Sequence, residues 1–229
     1  MHRVARIAGA LLIAAGVLLL AWVVVVWRWQ DPFTAIYTHI EQSHLAHRYE
    51  QRVRQFHPRI HPTRNLAALE LQVAAEAQAY RRTLHTGDPV GRLRIGRIGL
   101  NMVVVQGTDH DTLKKGPGHY EQSGVPGAGH LIYVAGHRTT YLAPFADIND
   151  IRIGDYLTFS VPYGVFTYRV VRHFVVPSDR LSVLQDRGHE LLRLQACHPR
   201  FFATHRYIVD ARLVSVAPVG ARPYAPKKL

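Results

Sequence analysis

Three side chains in this 229-residue chain could together carry out acyl transfer. Cys197 is the only cysteine. It follows the apolar run Glu190–Ala196, which reads as a strand, and it precedes His198-Pro199. A thiol where a strand passes into a loop is exposed yet rigidly supported. It is either a small packing group or a nucleophile. His137 lies in Tyr133-Val-Ala-Gly-His-Arg-Thr-Thr, directly after another apolar run, with Gly136 allowing a close turn. A thiol nucleophile needs an imidazole to take its proton and later to protonate a leaving amine, and His137 can fill that role. Arg206 opens the last strong β-rich run, Arg-Tyr-Ile-Val-Asp-Ala-Arg-Leu. Its guanidinium suits the negative charge that builds on a carbonyl oxygen under attack. Taken singly, a histidine among 15 or an arginine among 28 basic residues reads equally well as surface. The order joins them: His after one strand, Cys after another, Arg opening the next. A single cysteine excludes internal disulfides, Cys-rich zinc modules and C-x-x-C redox chemistry. Leu194-Gln195-Ala196-Cys197 imitates a lipoprotein acylation box, but it lies far from the N-terminus where such a box must stand.

The elements that must hold these residues begin after Thr86-Gly87-Asp88-Pro89. There the texture changes to short β-rich runs separated by Gly, Pro and Asp. Strands are predicted over Arg92–Ile98, Asn101–Gln106, Leu131–Ala135, Tyr156–Val161, Val165–Val175, Glu190–Ala196 and Arg206–Val214. Short strands at turn-rich spacing predict an antiparallel barrel or sandwich. Short helices are expected near Asp109–Lys115 and Pro144–Asp150. No internal repeat is visible, and the tail, 216–229, carries three prolines and is expected to be disordered.

Upstream, Ile7 to Trp27 is uncharged. At about 1.5 Å per residue it is long enough to cross a hydrocarbon core of about 30 Å. Arg3 and Arg6 precede it and Trp22, Trp27 and Trp29 mark its far end, which predicts a retained anchor with the N-terminus inside. A cleaved signal peptide fits less well, because the run is long and ends in bulky residues. Asp31-Pro32 forms an N-cap and first-turn pair for a helix to about Phe56, with Phe33, Ile36, Tyr37, Ile40, His44 and Leu45 at helical spacing. His57-Pro58 and His61-Pro62 interrupt it. A second helix starts at Asn65 with Leu66, Leu69, Val73, Ala77, Tyr80 and Leu84 on one face. The layout predicted is an anchor at 1–29, a helical stalk or linker at 30–86, a catalytic domain at 87–215 and the tail. The histidines between His39 and His85 have irregular spacing and no accompanying carboxylate cluster, so they read as solvated rather than as metal ligands. No metal or other cofactor is expected. The formal charge of +12 favours a polyanionic neighbour: nucleic acid, anionic lipid or an acidic wall polymer.

From Gly87 to Leu213 the chain resembles the sortases, membrane-anchored cysteine transpeptidases, and among them class E. The resemblance rests on Gly116-Pro117-Gly118-His119-Tyr120, Ala135-Gly136-His137-Arg138-Thr139-Thr140-Tyr141, Pro144-Phe145, Gly154-Asp155, and Cys197-His198-Pro199-Arg200-Phe201 leading to Arg206. It implies a mainly β fold, the family's closed β-barrel with short connecting helices. It puts His137, Cys197 and Arg206 at the catalytic positions and Tyr141, Ala196 and His198 beside the substrate. The implied reaction cleaves an LPXTG- or LAXTG-like C-terminal sorting signal through a thioacyl intermediate. The acyl group then passes to an amine of a peptidoglycan precursor or a pilin. The implied location is the cell membrane, single-pass, with the catalytic domain outside. One departure stands next to the nucleophile: the family commonly shows Thr-Leu-x-Thr-Cys, and here the sequence is Arg193-Leu194-Gln195-Ala196-Cys197.

Other readings fit less. An L,D-transpeptidase usually carries Ser-x-Gly-Cys, and a papain-like peptidase places Cys before His. A non-catalytic membrane-anchored scaffold docking on an anionic polymer would not need His137, Cys197 and Arg206 together. Nucleic-acid binding lacks an aromatic-interleaved basic motif.

Overall fold

The computed structural model describes residues 2–29 and 32–226, with side chains over 2–24 and 34–226. Eight strands close into one barrel: β1 (Pro89–Ile95), β2 (Leu100–Gln106), β3 (Gly118–His119), β4 (Leu131–Gly136), β5 (Tyr156–Val161), β6 (Gly164–Pro177), β7 (Leu191–His198) and β8 (His205–Pro218). Their spatial order is β1-β2-β3-β4-β7-β8-β6-β5, and β5 closes back onto β1. Closure removes most sheet edges, which suits a small all-β core. The predicted strands are present within a few residues. Two pairings depart from the antiparallel expectation, since β2 with β3 and β4 with β7 are parallel. Strand order is a long-range property that local alternation does not encode, and β3 is too short to show a period. The barrel interior is filled by alternate residues, among them Ile132 and Val134 from β4, Leu192, Leu194 and Ala196 from β7, and Tyr207, Val209 and Ala211 from β8.

The N-terminal helix α1 (His2–Trp29) is long and apolar enough to span a membrane, and the apolar stretch within His2–Val24 is not buried against the rest of the chain. The expected Asp31 cap and the side chains of Trp27, Trp29 and Phe33 lie outside the described residues. Helix α2 (Pro32–Gln55) ends just before His57-Pro58, as the proline predicts. Its buried face differs from the expected one. Of the residues at that spacing Leu45 is buried but Ile36 and Ile40 are exposed, whereas Thr38 and Tyr49 are buried. The reason is the edge that α2 covers. Because β3 is so short, the outer side of β2 lacks a strand partner at Val103, and Gln42 of α2 supplies one. Gln42 accepts from the Val103 amide at 2.8 Å and donates to the carbonyls of Val103 at 3.0 Å and Lys115 at 2.8 Å. Thr38 adds a bond to the Lys114 carbonyl at 2.8 Å. Gly116 makes room, for a Cβ there would meet Gln42 Nε2 at 2.3 Å.

Helix α3 (Leu66–Arg81) starts where predicted, with the Asn65 side chain accepting from the Ala68 amide at 3.2 Å. Such a cap contributes about 1 kcal/mol. Leu69, Val73, Ala77 and Tyr80 join the main core, and Tyr80 donates to the Val90 carbonyl at 2.9 Å while packing on Phe56 and Tyr163. Residues 32–81 are therefore part of the folded body rather than a free stalk. The tail also departs from expectation: Tyr224 exchanges backbone bonds with Val216, and Ala221 and Tyr224 pack on the core. The segment anticipated as a helix at Pro144–Asp150 is only a 3-10 turn at Ile148–Asp150, and α4 spans His110–Leu113.

Candidate active site

Strand register brings the three predicted residues to one end of the barrel. In the parallel β4–β7 pair Gly136 aligns with Ala196, so the next residues, His137 and Cys197, emerge side by side. In the antiparallel β7–β8 pair Cys197 aligns with Arg206. Side chains alternate across a strand. Since Leu192, Leu194 and Ala196 fill the interior, Arg193, Gln195 and Cys197 face outward, as do Arg206, Ile208 and Asp210 opposite them. That outer face carries its own apolar cluster of Tyr133, Ala135, Val183 and Ile208. Cys197 is a free, half-buried thiol at the edge of this floor.

His137 is half-buried, and its Nε2 is the one buried side-chain nitrogen or oxygen among the described residues without a hydrogen-bond partner. Leaving such a group unpaired costs about 1–3 kcal/mol. Burial, and after it the charge of His110, holds its pKa below the usual histidine value, which favours the neutral, proton-accepting ring. The loop beyond it is tightly specified. Tyr141, Leu142 and Ala143 all take positive φ, at 55°, 58° and 36°. Non-glycine residues rarely adopt such values unless their surroundings impose them. Phe145 donates to the His137 carbonyl at 3.1 Å, and Ala143 to that of Thr140 at 2.8 Å. A Cβ on Gly136 would meet Phe145 Cδ2 at 2.6 Å, so this glycine lets the loop fold back over the strand end. The Tyr141 ring lies 5.2 Å from that of His137. Helix α2 reaches the same loop, with Thr34 Oγ1 accepting from the Tyr141 amide at 3.1 Å and Tyr37 edge-on to the Tyr141 ring.

Arg206 is half-buried, and its Nη1 donates to the carbonyls of Ala203 at 2.7 Å and His205 at 3.0 Å. Of the remaining predicted residues, Tyr141 sits beside His137. Ala196 is 1% exposed and points into the barrel core, so only its backbone can meet a substrate. His198 lies at the end of β7 and is occupied by Arg138. At Arg193, where the family commonly has Thr, the side chain is engaged with Asp210. Nε lies 2.6 Å from Oδ1 and Nη2 2.8 Å from Oδ2, and Nη1 donates to the Val183 carbonyl at 2.5 Å. This ties the 3-10 turn Leu181–Leu184 over the outer apolar floor.

Three contributors were not legible as site residues in the sequence. Arg138 was visible only as a neighbour of His137, yet it is buried and bonded to the Cys197 carbonyl. Thr34 and Tyr37 belong to a helix more than a hundred residues upstream and carry no local signal. Among the described residues no group of His, Cys, Asp and Glu could hold a metal ion. A cavity of about 840 Å³, lined by Arg82, Glu121 and His130 among others, includes none of the three predicted catalytic residues.

The sortase domain family model matches residues 93–214, more than half of the chain, so the chain belongs to the sortase family and is an enzyme of that cysteine transpeptidase type. Sortase D of Bacillus subtilis (strain 168) is 36% identical over 135 residues, which cover 57% of this chain and 66% of that protein. The structure of sortase E from Streptomyces avermitilis superposes with a TM-score of 0.54 at 33% identity, covering 59% of this chain and 93% of that one. A Clostridium perfringens sortase D5 transpeptidase shares the fold, with a TM-score of 0.62 at 21% identity over 76% of this chain and 98% of the other.

Proposed function

We propose that this chain is a membrane-anchored sortase in which Cys197 is the nucleophile, His137 the proton carrier and Arg206 the stabiliser of the oxyanion. Neutral His137 takes the Cys197 proton, and the thiolate attacks the carbonyl carbon of a Thr-Gly-like bond in a sorting signal. Arg206 offers its free guanidinium hydrogens to the oxygen as charge builds there. The C–N bond then breaks, His137 gives its proton to the departing amine, and a thioester to Cys197 remains. An amine on a wall precursor or a pilin attacks that thioester, passes a proton to His137, and releases the thiolate. The strand register carries this reading: β4 and β7 run parallel and end together, and β8 returns Arg206 opposite Cys197.

The decisive variant is Cys197→Ala, which should abolish cleavage of a sorting peptide and capture of the acyl-enzyme. Cys197→Ser should leave a trace, because a hydroxyl is far less ionised than a thiol. Undiminished turnover by Cys197→Ala would overturn the reading. For topology, the anchor and its Arg3 and Arg6 flank support an external domain. Protease added to intact protoplasts should then digest the chain beyond Trp29, and protection until lysis would reverse the orientation.

A further inference from the structure

His137 and Arg138 are consecutive, yet they serve opposite sides of the sheet. His137 continues the outer row of Tyr133 and Ala135, whereas Arg138 turns into the barrel mouth and is 7% exposed. The parallel β4–β7 ladder stops at Gly136 and Ala196. One residue further on, where the ladder could no longer fix the two strands, the Arg138 guanidinium takes over. Nη1 donates to the Cys197 carbonyl at 3.2 Å and to His198 Nδ1 at 3.0 Å, Nη2 to Asn149 Oδ1, and Nε to the Ala146 carbonyl at 3.3 Å. One rigid plane, carried by the residue after His137, thus touches the backbone of Cys197 itself, the residue after it, and the 146–149 segment that closes the His137 loop. Burying a guanidinium is costly unless its hydrogens are used, and here all three nitrogens are. Nδ1 of His198 must accept, so that ring carries its proton on Nε2. Burial, reinforced by the charge of Arg138, favours that neutral form.

We propose that Arg138 is a positioning residue for the transpeptidation site, a planar clamp behind the sheet that sets the spacing between the His137 ring and the Cys197 thiol. The inference rests on the proposed roles of His137 and Cys197. Its chemistry requires the fork rather than the charge, because a lysine ammonium is a compact point donor that cannot span four acceptors on two segments. A misplacement of about 1 Å between reacting groups can cost about 10²-fold in rate.

The test measures full-length enzyme in detergent with a sorting-signal peptide, resolving kcat from KM and following iodoacetamide alkylation of Cys197 against pH. Arg138→Lys should lower kcat about 10²-fold with KM within about twofold of the parent, since the clamp lies behind the groove. It should also move the pH dependence of Cys197 alkylation, which a purely structural residue would leave in place. Arg138→Ala should regain part of its kcat when guanidinium is added well below denaturing concentration. A folded Arg138→Lys with parental kcat and an unchanged alkylation profile overturns the proposal. If Arg138→Lys and Arg138→Ala fail to fold, Asn149→Ala and His198→Ala decide, each removing one acceptor. A lowered kcat with unchanged melting in both supports the clamp, and parental kcat in both overturns it. Cys197→Ala run alongside separates the two layers, because residual turnover there would mean that the site reading has failed and not the clamp alone.

Discussion

Arg206 lies directly across the β7–β8 ladder from Cys197, and its Nη1 is already held by the carbonyls of Ala203 and His205. The group that would meet a developing oxyanion is thus anchored by its own turn before substrate arrives. Preorganised donors of this kind avoid reorganisation during the reaction, which is where much of their value lies.

Arg206→Lys keeps the charge but loses the fork, so a single nitrogen must replace one that holds the turn and a second, separately placed one that faces the substrate. The expected outcome is a loss of about 10²–10³-fold in kcat, or about 2.7–4 kcal/mol of transition-state stabilisation. Melting should stay close to the parent. Steady-state kinetics with a sorting peptide check this, and full activity in Arg206→Lys would remove the residue from the mechanism.

The pH dependence follows from His137. Burial comes first and the His110 charge second, and both disfavour the imidazolium. A base with a lowered pKa stays neutral until the solution is more acidic than its ordinary value. The acid limb of kcat/KM should therefore fall below pH of about 6.5. His110→Ala removes a neighbouring positive charge and should move that limb upward in pH. A limb that stays put or moves down would show that another group controls it.

Gly136→Ala tests the close packing of the His137 loop on the strand end. The added methyl would overlap the Phe145 ring at 2.6 and 2.9 Å and approach Pro144 at 3.2 Å. Overpacking of this kind costs about 1–3 kcal/mol. Because Phe145 is bonded to the His137 carbonyl, its shift should carry His137 along and lower kcat more than the change in melting would predict. A variant with lowered melting but unaltered kcat would uncouple the loop from the site.

Asp210 is 1% exposed and answers two cations, Arg193 through a two-pronged contact and Arg172 at 2.7 Å. Asp210→Ala should destabilise the chain by about 3–5 kcal/mol, because it leaves Arg193 buried beneath the 181–184 turn without its carboxylate. The double change Arg193→Met with Asp210→Leu should recover most of that loss. Calorimetry on the purified chain measures both. A single variant that melts like the parent would mean that the pair contributes nothing net.

Local chemistry was readable from the residues alone. The strands over Asn101–Gln106, Leu131–Ala135, Tyr156–Val161 and Glu190–Ala196 showed in their apolar runs, α3 in the spacing of Leu69, Val73, Ala77 and Tyr80, and the end of α2 in His57-Pro58. These follow from propensity and period, which act over a few residues. His137, Cys197 and Arg206 could be nominated because each stands at a strand end. That they meet depended on β4 and β7 lying parallel and adjacent, although the chain from 137 to 190 separates those strands. The polar face of α2 was hidden for the same reason, since Thr38 and Gln42 look solvent-facing until the short β3 leaves Val103 without a strand partner on that side. Arg138 was hidden in plain view beside His137. Its role exists only because the barrel mouth brings Cys197, His198 and Asn149 within reach of one guanidinium. Sequence spacing carries the periodicity of single elements, whereas hydrogen-bond partners between distant elements are set by the strand order that closes the barrel.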